Sequence, residues 1–223
     1  MIPKDLMRKL DEGRQYRDID VSRFERRSEE SGEKEVTGYA TVFNQPYELY
    51  RIVDGGWVYI VREQVDADAF KDCDMTDVIM QYNHEGRVFA RTSNGTLEVA
   101  PDDTGLHIRA KLGGTELGRQ VYDEIDGGYT TKMSHGFTVG ADKRERTEEH
   151  DEENGTTTIT VLRTITRISK LYDVSAVSLP ANDATSISAR SFVDGVIDEL
   201  KQERLAAEKR ERQKKAIKVL CAL

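Results

Sequence analysis

The chain has 223 residues, enough for one well-buried domain with appendages and too few for two large ones. Its 33 Lys and Arg stand against 41 Asp and Glu, a formal net charge of -8, which argues against a nucleic-acid-binding chain. A third of the residues are charged, no apolar run reaches membrane-spanning length and no signal-like core follows Met1, so the chain reads as soluble, intracellular and without a membrane partner; Cys73 and Cys221 read as reduced thiols.

In chain order, residues 1–35 are mostly polar and are read as an extension that begins outside the core. Leu6, Met7 and Leu10 share one face of a short helix, Ile19 and Val21 alternate with charge as in an edge strand, and residues 26–35 have loop composition. Residues 36–43 are a strand with Tyr39 and Phe43 on one face and small Gly38 and Ala40 on the other, where something packs closely. A loop over 45–56 leads to a strand at 57–61, a short helix over 66–72 with Phe70 turned inward, and a strand at 78–82 that delivers Asn83 and His84 at its end.

Residues 96–100 and 106–112 alternate on either side of a turn at 101–105, which predicts a hairpin. The period then changes: Leu117, Val121 and Ile125 lie four apart on one helical face over 115–126, and Gly127 and Gly128 stop it. Residues 134–141 alternate again, 142–154 are a charged hairpin tip, 156–168 a threonine-rich and β-branched strand, and 171–178 the last core strand. Many short strands with few helices predict a mainly β fold, a closed or nearly closed β-barrel with flanking helices, rather than a parallel α/β sheet. After residue 190 the stripe Phe192, Val196, Leu200 predicts a helix, and residues 203–218 are so dense in charge that a solvated helical tail follows. The domain reading is therefore an extension at 1–35, a core domain at 36–190 and a charged helical tail at 191–223.

Ser134, in Lys132-Met133-Ser134-His135-Gly136-Phe137, is the candidate nucleophile. A serine hydroxyl attacks at neutral pH only when a base takes its proton and a third group holds that base in the right tautomer. His84 and Asp173 are the candidates for those two roles. Spacing alone carries little here, since any chain rich in serine and acid offers many such triples. His107 and His150 read as structural or solvated. His135 neighbours Ser134 on one predicted strand, so its side chain points to the other face and it is not the base. The histidines and acids show no zinc-ligand spacing and no glycine loop cradles a phosphate, so neither metal nor cofactor is expected.

The wording around these residues says more. Gly38-Tyr39-Ala40-Thr41-Val42-Phe43-Asn44, residues 65–70, Asn83-His84, Asp103-Thr104-Gly105-Leu106, residues 132–137, and 173–178 followed by Leu179-Pro180-Ala181-Asn182 resemble, in that order, the prohead maturation proteases of tailed bacteriophages, relatives of the herpesvirus assemblins. The resemblance covers roughly residues 36–190. It implies an assemblin-like β-barrel and a serine endopeptidase that cuts the major capsid protein, the scaffold or itself inside the immature capsid, in the host bacterial cytoplasm. It places Ser134, His84 and Asp173 in the catalytic blocks. The family usually carries Glu where this chain has Asp173, and an aromatic residue where it has His135. For the oxyanion, the backbone N–H groups at His135 and Gly136 are candidates. Related assemblins use arginine in that task, which adds Arg163 and Arg167; both equally suit outward-facing strand charges. The competing reading is a non-enzymatic capsid assembly or scaffolding factor on the same fold, with the charged tail as the partner-binding element.

Overall fold

A computed structural model of the protein describes residues 13–19, 24–28, 34–177 and 183–220. In chain order the elements are β1 (Gln15–Ile19), β2 (Phe24–Ser28), β3 (Lys34–Val42), β4 (Tyr47–Asp54), β5 (Trp57–Val65), β6 (Ile79–Tyr82), β7 (Glu85–Arg91), β8 (Leu97–Pro101), β9 (Gly105–Lys111), α1 (Glu116–Asp126), β10 (Lys132–Asp151), β11 (Thr156–Val177) and α2 (Asp183–Leu220). The chain divides into two compact units, Met1–Ala189 and Arg190–Leu223, and the first holds both sheets.

The larger sheet runs β1-β10-β11-β5-β4, and the smaller is an antiparallel β2-β3-β9-β8. β11 is long enough to serve two partners in succession, pairing in parallel with β5 from Thr157 to Ile165 and with β6 from Asp173 to Ala176. Between those stretches the β10–β11 ladder shifts register repeatedly from Gly136 to Asp142, and such bulges bend and twist a hairpin. One hairpin can thereby join two differently oriented parts of the sheet. The two sheets approach each other at β3 and β10, and Ala40, Phe70, Met80, Leu106, Phe137 and Val174 are among the buried residues of the core between them. The close approach expected at the small face of β3 is present, with Ala40 fully buried.

The mainly β architecture, the flanking helix and the charged C-terminal helix are as the sequence implies. The strands form two sheets, and among the described residues neither closes into a ring. α1 starts where Thr115 accepts from the Gly118 N–H and buries Val121, Tyr122 and Ile125, whereas Leu117 stays partly exposed. Several local readings change. The stretch 26–35 is not all loop, because β2 runs to Ser28 and β3 begins at Lys34. The loop expected at 45–56 is mostly β4, an edge strand whose exposed polar residues hid its alternation; Gly55 and Gly56, both at positive φ, make the tight turn into β5. The short helix expected at 66–72 is a chain of turns, in which the Ala69, Lys71 and Cys73 N–H groups each reach the carbonyl three residues back and the Asp66 carboxylate takes the Asp68 N–H. Phe70 is nevertheless turned inward. The charged tip at 142–154 is strand as far as Asp151, because cross-strand pairing with threonine-rich β11 holds it extended. Strand β1 does not stand outside the core: Tyr16 and Arg17 are fully buried. The helix suggested by Leu6, Met7 and Leu10 lies outside the described residues, as does Val21. Among the described residues no helix is long and apolar enough to cross a membrane.

Candidate active site

Ser134 is the third residue of β10, a short distance after α1 ends at Gly127 and Gly128. Here β10 is paired on both edges, with Asp18 of β1 opposite Ser134 on one side and Ser175 of β11 on the other. A strand clamped between two neighbours is a rigid mount for a side chain. Two residues further along β10, Gly136 faces Tyr16 and Asp173.

His84 arrives from the other side of β11. β6 pairs with β11 up to Ala176, the Asn83 N–H donates to the Ala176 carbonyl at 2.9 Å, and the chain then turns back as β7, with Tyr82 opposite Glu85. Asn83 and His84 are the two residues of that turn, at φ 50° and 60°. Positive φ at both central positions is the geometry of a type I′ hairpin, whose usual sequence is Asn-Gly. Histidine stands where glycine would be unstrained. A non-glycine residue held in this region costs of order 1–3 kcal/mol and persists where the surroundings over-determine it.

The turn swings the imidazole over β11 so that it lies between a carboxylate and a hydroxyl. His84 Nε2 is 2.6 Å from Ser134 Oγ, and His84 Nδ1 is hydrogen-bonded to Asp173 Oδ1. The Ser175 hydroxyl also donates to Asp173 Oδ1, at 3.0 Å. The Tyr16 ring meets the imidazole edge-on, with centroids 4.5 Å apart. Ser134 is 0%, His84 3% and Asp173 3% exposed, so all three groups sit away from solvent. The glycine at 136 has a packing reason: a Cβ there would overlap Asp173 Oδ2 and come within 2.8 Å of Tyr16 Cε1. The missing side chain is the space the carboxylate occupies.

The other sequence candidates lie elsewhere or have other work. His135 points away from Ser134 and stacks on Phe137 at 4.6 Å, with neither ring nitrogen hydrogen-bonded. Burial first, then the charges of Arg17 and His84, push its imidazole down to about 3, so it stays neutral. The His135 and Gly136 backbone groups sit in a strand paired on both sides, where N–H groups lie in the plane of the sheet. Arg163 is buried and committed to Glu63 (2.9 Å), Asp142 (2.5 Å) and Gln15 (3.1 Å). Glu63 in turn takes Arg17 at 2.6 Å and the Tyr47 hydroxyl at 2.6 Å. This charged cluster joins Arg17, the residue opposite His135, to β5. Burial drives the Glu63 carboxyl up, but Arg17, then Arg163, together bring it below its usual range. Arg167 is exposed and donates to the Gly140 carbonyl at 3.0 Å. His107 packs edge-on against Tyr39, and His150 is hydrogen-bonded to Thr157. Burial pushes the Cys73 thiol up to about 11, which leaves it a poor nucleophile; Cys221 lies outside the described residues. Neither Tyr16 nor Ser175 stands out in the sequence; the spacing of two between Ser175 and Asp173 is the available signal.

Hydroxyl, imidazole and carboxylate, hydrogen-bonded in that order on a β scaffold, are the parts of a serine-dependent acyl-transfer site. The family model of the Caudovirus prohead serine protease matches residues 22–198, and the chain belongs to that family. It is thus a serine protease of the bacteriophage prohead class, whose place is capsid maturation. No curated protein and no solved structure matches it.

Proposed function

We propose that the chain is an endopeptidase that cuts the major capsid protein or the scaffold within the immature capsid, with its own chain as a further substrate, and that Ser134, His84 and Asp173 perform the chemistry. The 2.6 Å approach of Ser134 Oγ to His84 Nε2 carries this reading. Asp173, on Nδ1, holds the tautomer that leaves Nε2 free to accept. The hydroxyl adds to the peptide carbonyl, forming the Oγ–C bond as its proton passes to Nε2. Collapse of the tetrahedral intermediate breaks the C–N bond, and His84 returns the proton to the departing amine. Water then clears the ester by the same proton path in reverse.

Co-expression with the capsid subunit tests this directly. Fragment masses should show defined cleavage with the native chain, and Ser134→Ala should slow it by about 10⁶ while the protein stays folded. Normal processing by that variant refutes the assignment, and no cleavage with either chain favours an assembly factor on the same fold.

A further inference from the structure

We infer that Ser175 is a positioning residue for this site, a fourth member whose hydroxyl fixes the carboxylate through which His84 is oriented; the inference rests on the triad reading above. Ser175 and Asp173 are two apart on β11, so their side chains leave the sheet on the same face. That face is the one carrying Ser134, because Ser175 is the register partner of Ser134 as Asp173 is of Gly136. Ser175 is fully buried, and its hydroxyl donates to the very oxygen, Asp173 Oδ1, that accepts from His84 Nδ1.

An aspartate has a soft, two-fold torsion at its carboxylate, so a single bond from His84 leaves the group free to rock. Three fixed surroundings remove that freedom. Ser175 pins Oδ1 from within β11, His84 takes the same oxygen from the turn, and Oδ2 rests in the space over Gly136, bounded by the Tyr16 ring. A hydrogen bond donated to a carboxylate also stabilises its charged form, which keeps Asp173 an acceptor for Nδ1–H. Among the described residues the Ser175 hydroxyl, fully removed from water, has its hydrogen bond to Asp173 alone.

The test uses the full chain and a quenched-fluorescent peptide spanning the capsid cleavage site mapped by the co-expression experiment. Ser175→Ala should lower kcat by about 10- to 100-fold, the size of a hydrogen bond to a charged group, with KM within about threefold of native because the residue touches no substrate. Ser175→Thr, which keeps the hydroxyl, should recover most of the loss. In Ser134→Ala backgrounds, where turnover plays no part, the low-field His84 Nδ1–H proton resonance should move upfield or broaden with Ser175→Ala and be restored with Ser175→Thr. If the alanine variant does not fold, Ser175→Cys, nearly isosteric with a weak donor, takes its place and should fall between Ala and native. Unchanged kcat and an unmoved resonance in the folded variants overturn the inference while the triad stands. If Ser134→Ala cleaves the peptide at the native rate, the triad reading falls, and this inference with it.

Discussion

Gly136→Ala isolates the space over which the carboxylate sits. The backbone at 136 is outside the left-handed region, so alanine is conformationally acceptable there and the perturbation is local. The new methyl group would overlap Asp173 Oδ2 and lie 3.2 Å from the carboxylate carbon. Reaching an ordinary contact of about 3.5 Å requires the oxygen to retreat by roughly 1 Å. Gly136 and Asp173 face each other in a paired ladder, so the side chain must yield rather than the strand. A misplacement of about 1 Å in a catalytic group costs roughly 10²-fold, and complete loss of the acidic member costs about 10⁴. Expected kcat/KM therefore falls by about 10² to 10⁴, or roughly 3–5 kcal/mol of transition-state stabilisation. Steady-state cleavage of the capsid-site peptide, with thermal unfolding alongside to show a folded protein, measures it. Activity within about threefold of native in a folded variant would refute both the steric reasoning and the dependence of the site on Asp173.

Two further outcomes concern the charged cluster on the other face. Glu63→Gln leaves the buried guanidinium groups of Arg17 and Arg163 without their shared anion, and breaking a buried pair typically costs about 3–5 kcal/mol, which urea unfolding should report. Replacing Arg17, Glu63 and Arg163 together with apolar residues should recover much of that loss, and a triple variant no better than the single would argue against the pairing. The same carboxyl sets an acid limit. Because folding holds the Glu63 carboxyl below its usual range, its contribution is fully present above about pH 4.3, the unfolded value, and is lost as pH falls through the folded one. Amide exchange should then show β1 losing protection on acidification before β10 and β11 do; loss from all three strands at one pH would contradict it.

What could be read from the sequence depended on the range of the forces involved. Alternation announced β8 and β9, which each turn one face inward, β3 and β6 were announced by their apolar and β-branched runs although they are buried on both faces, and the four-residue spacing of Val121 and Ile125 announced α1. Strand β4 was hidden because its outward residues, such as Glu48 and Arg51, pair with each other in solvent and leave no apolar stripe. That β1 belongs to the core was hidden for the opposite reason: its buried Arg17 looks like a surface residue until Glu63, 46 positions away, is seen to accept it. The candidate site was legible as residue types within motif blocks, and the structure brings Ser134, His84 and Asp173 together. The means of doing so were not legible. Asn83-His84 carries the first half of the Asn-Gly turn signal and replaces the second half with the candidate base, so it does not read as a tight turn.

The aspartate at 173 bears on how the site is assembled. The resemblance leads one to expect glutamate, and a side chain one methylene shorter has to be met by backbone that comes closer. Two local features do this. The ladder sets Asp173 directly opposite a glycine, so the carboxylate can lie flat over β10 instead of standing above a side chain. The I′ turn, tight enough to force positive φ on histidine, folds the imidazole down onto β11 instead of letting it project beyond the strand end. The turn at His84 and the bare backbone at Gly136 together let the shorter carboxylate reach the imidazole.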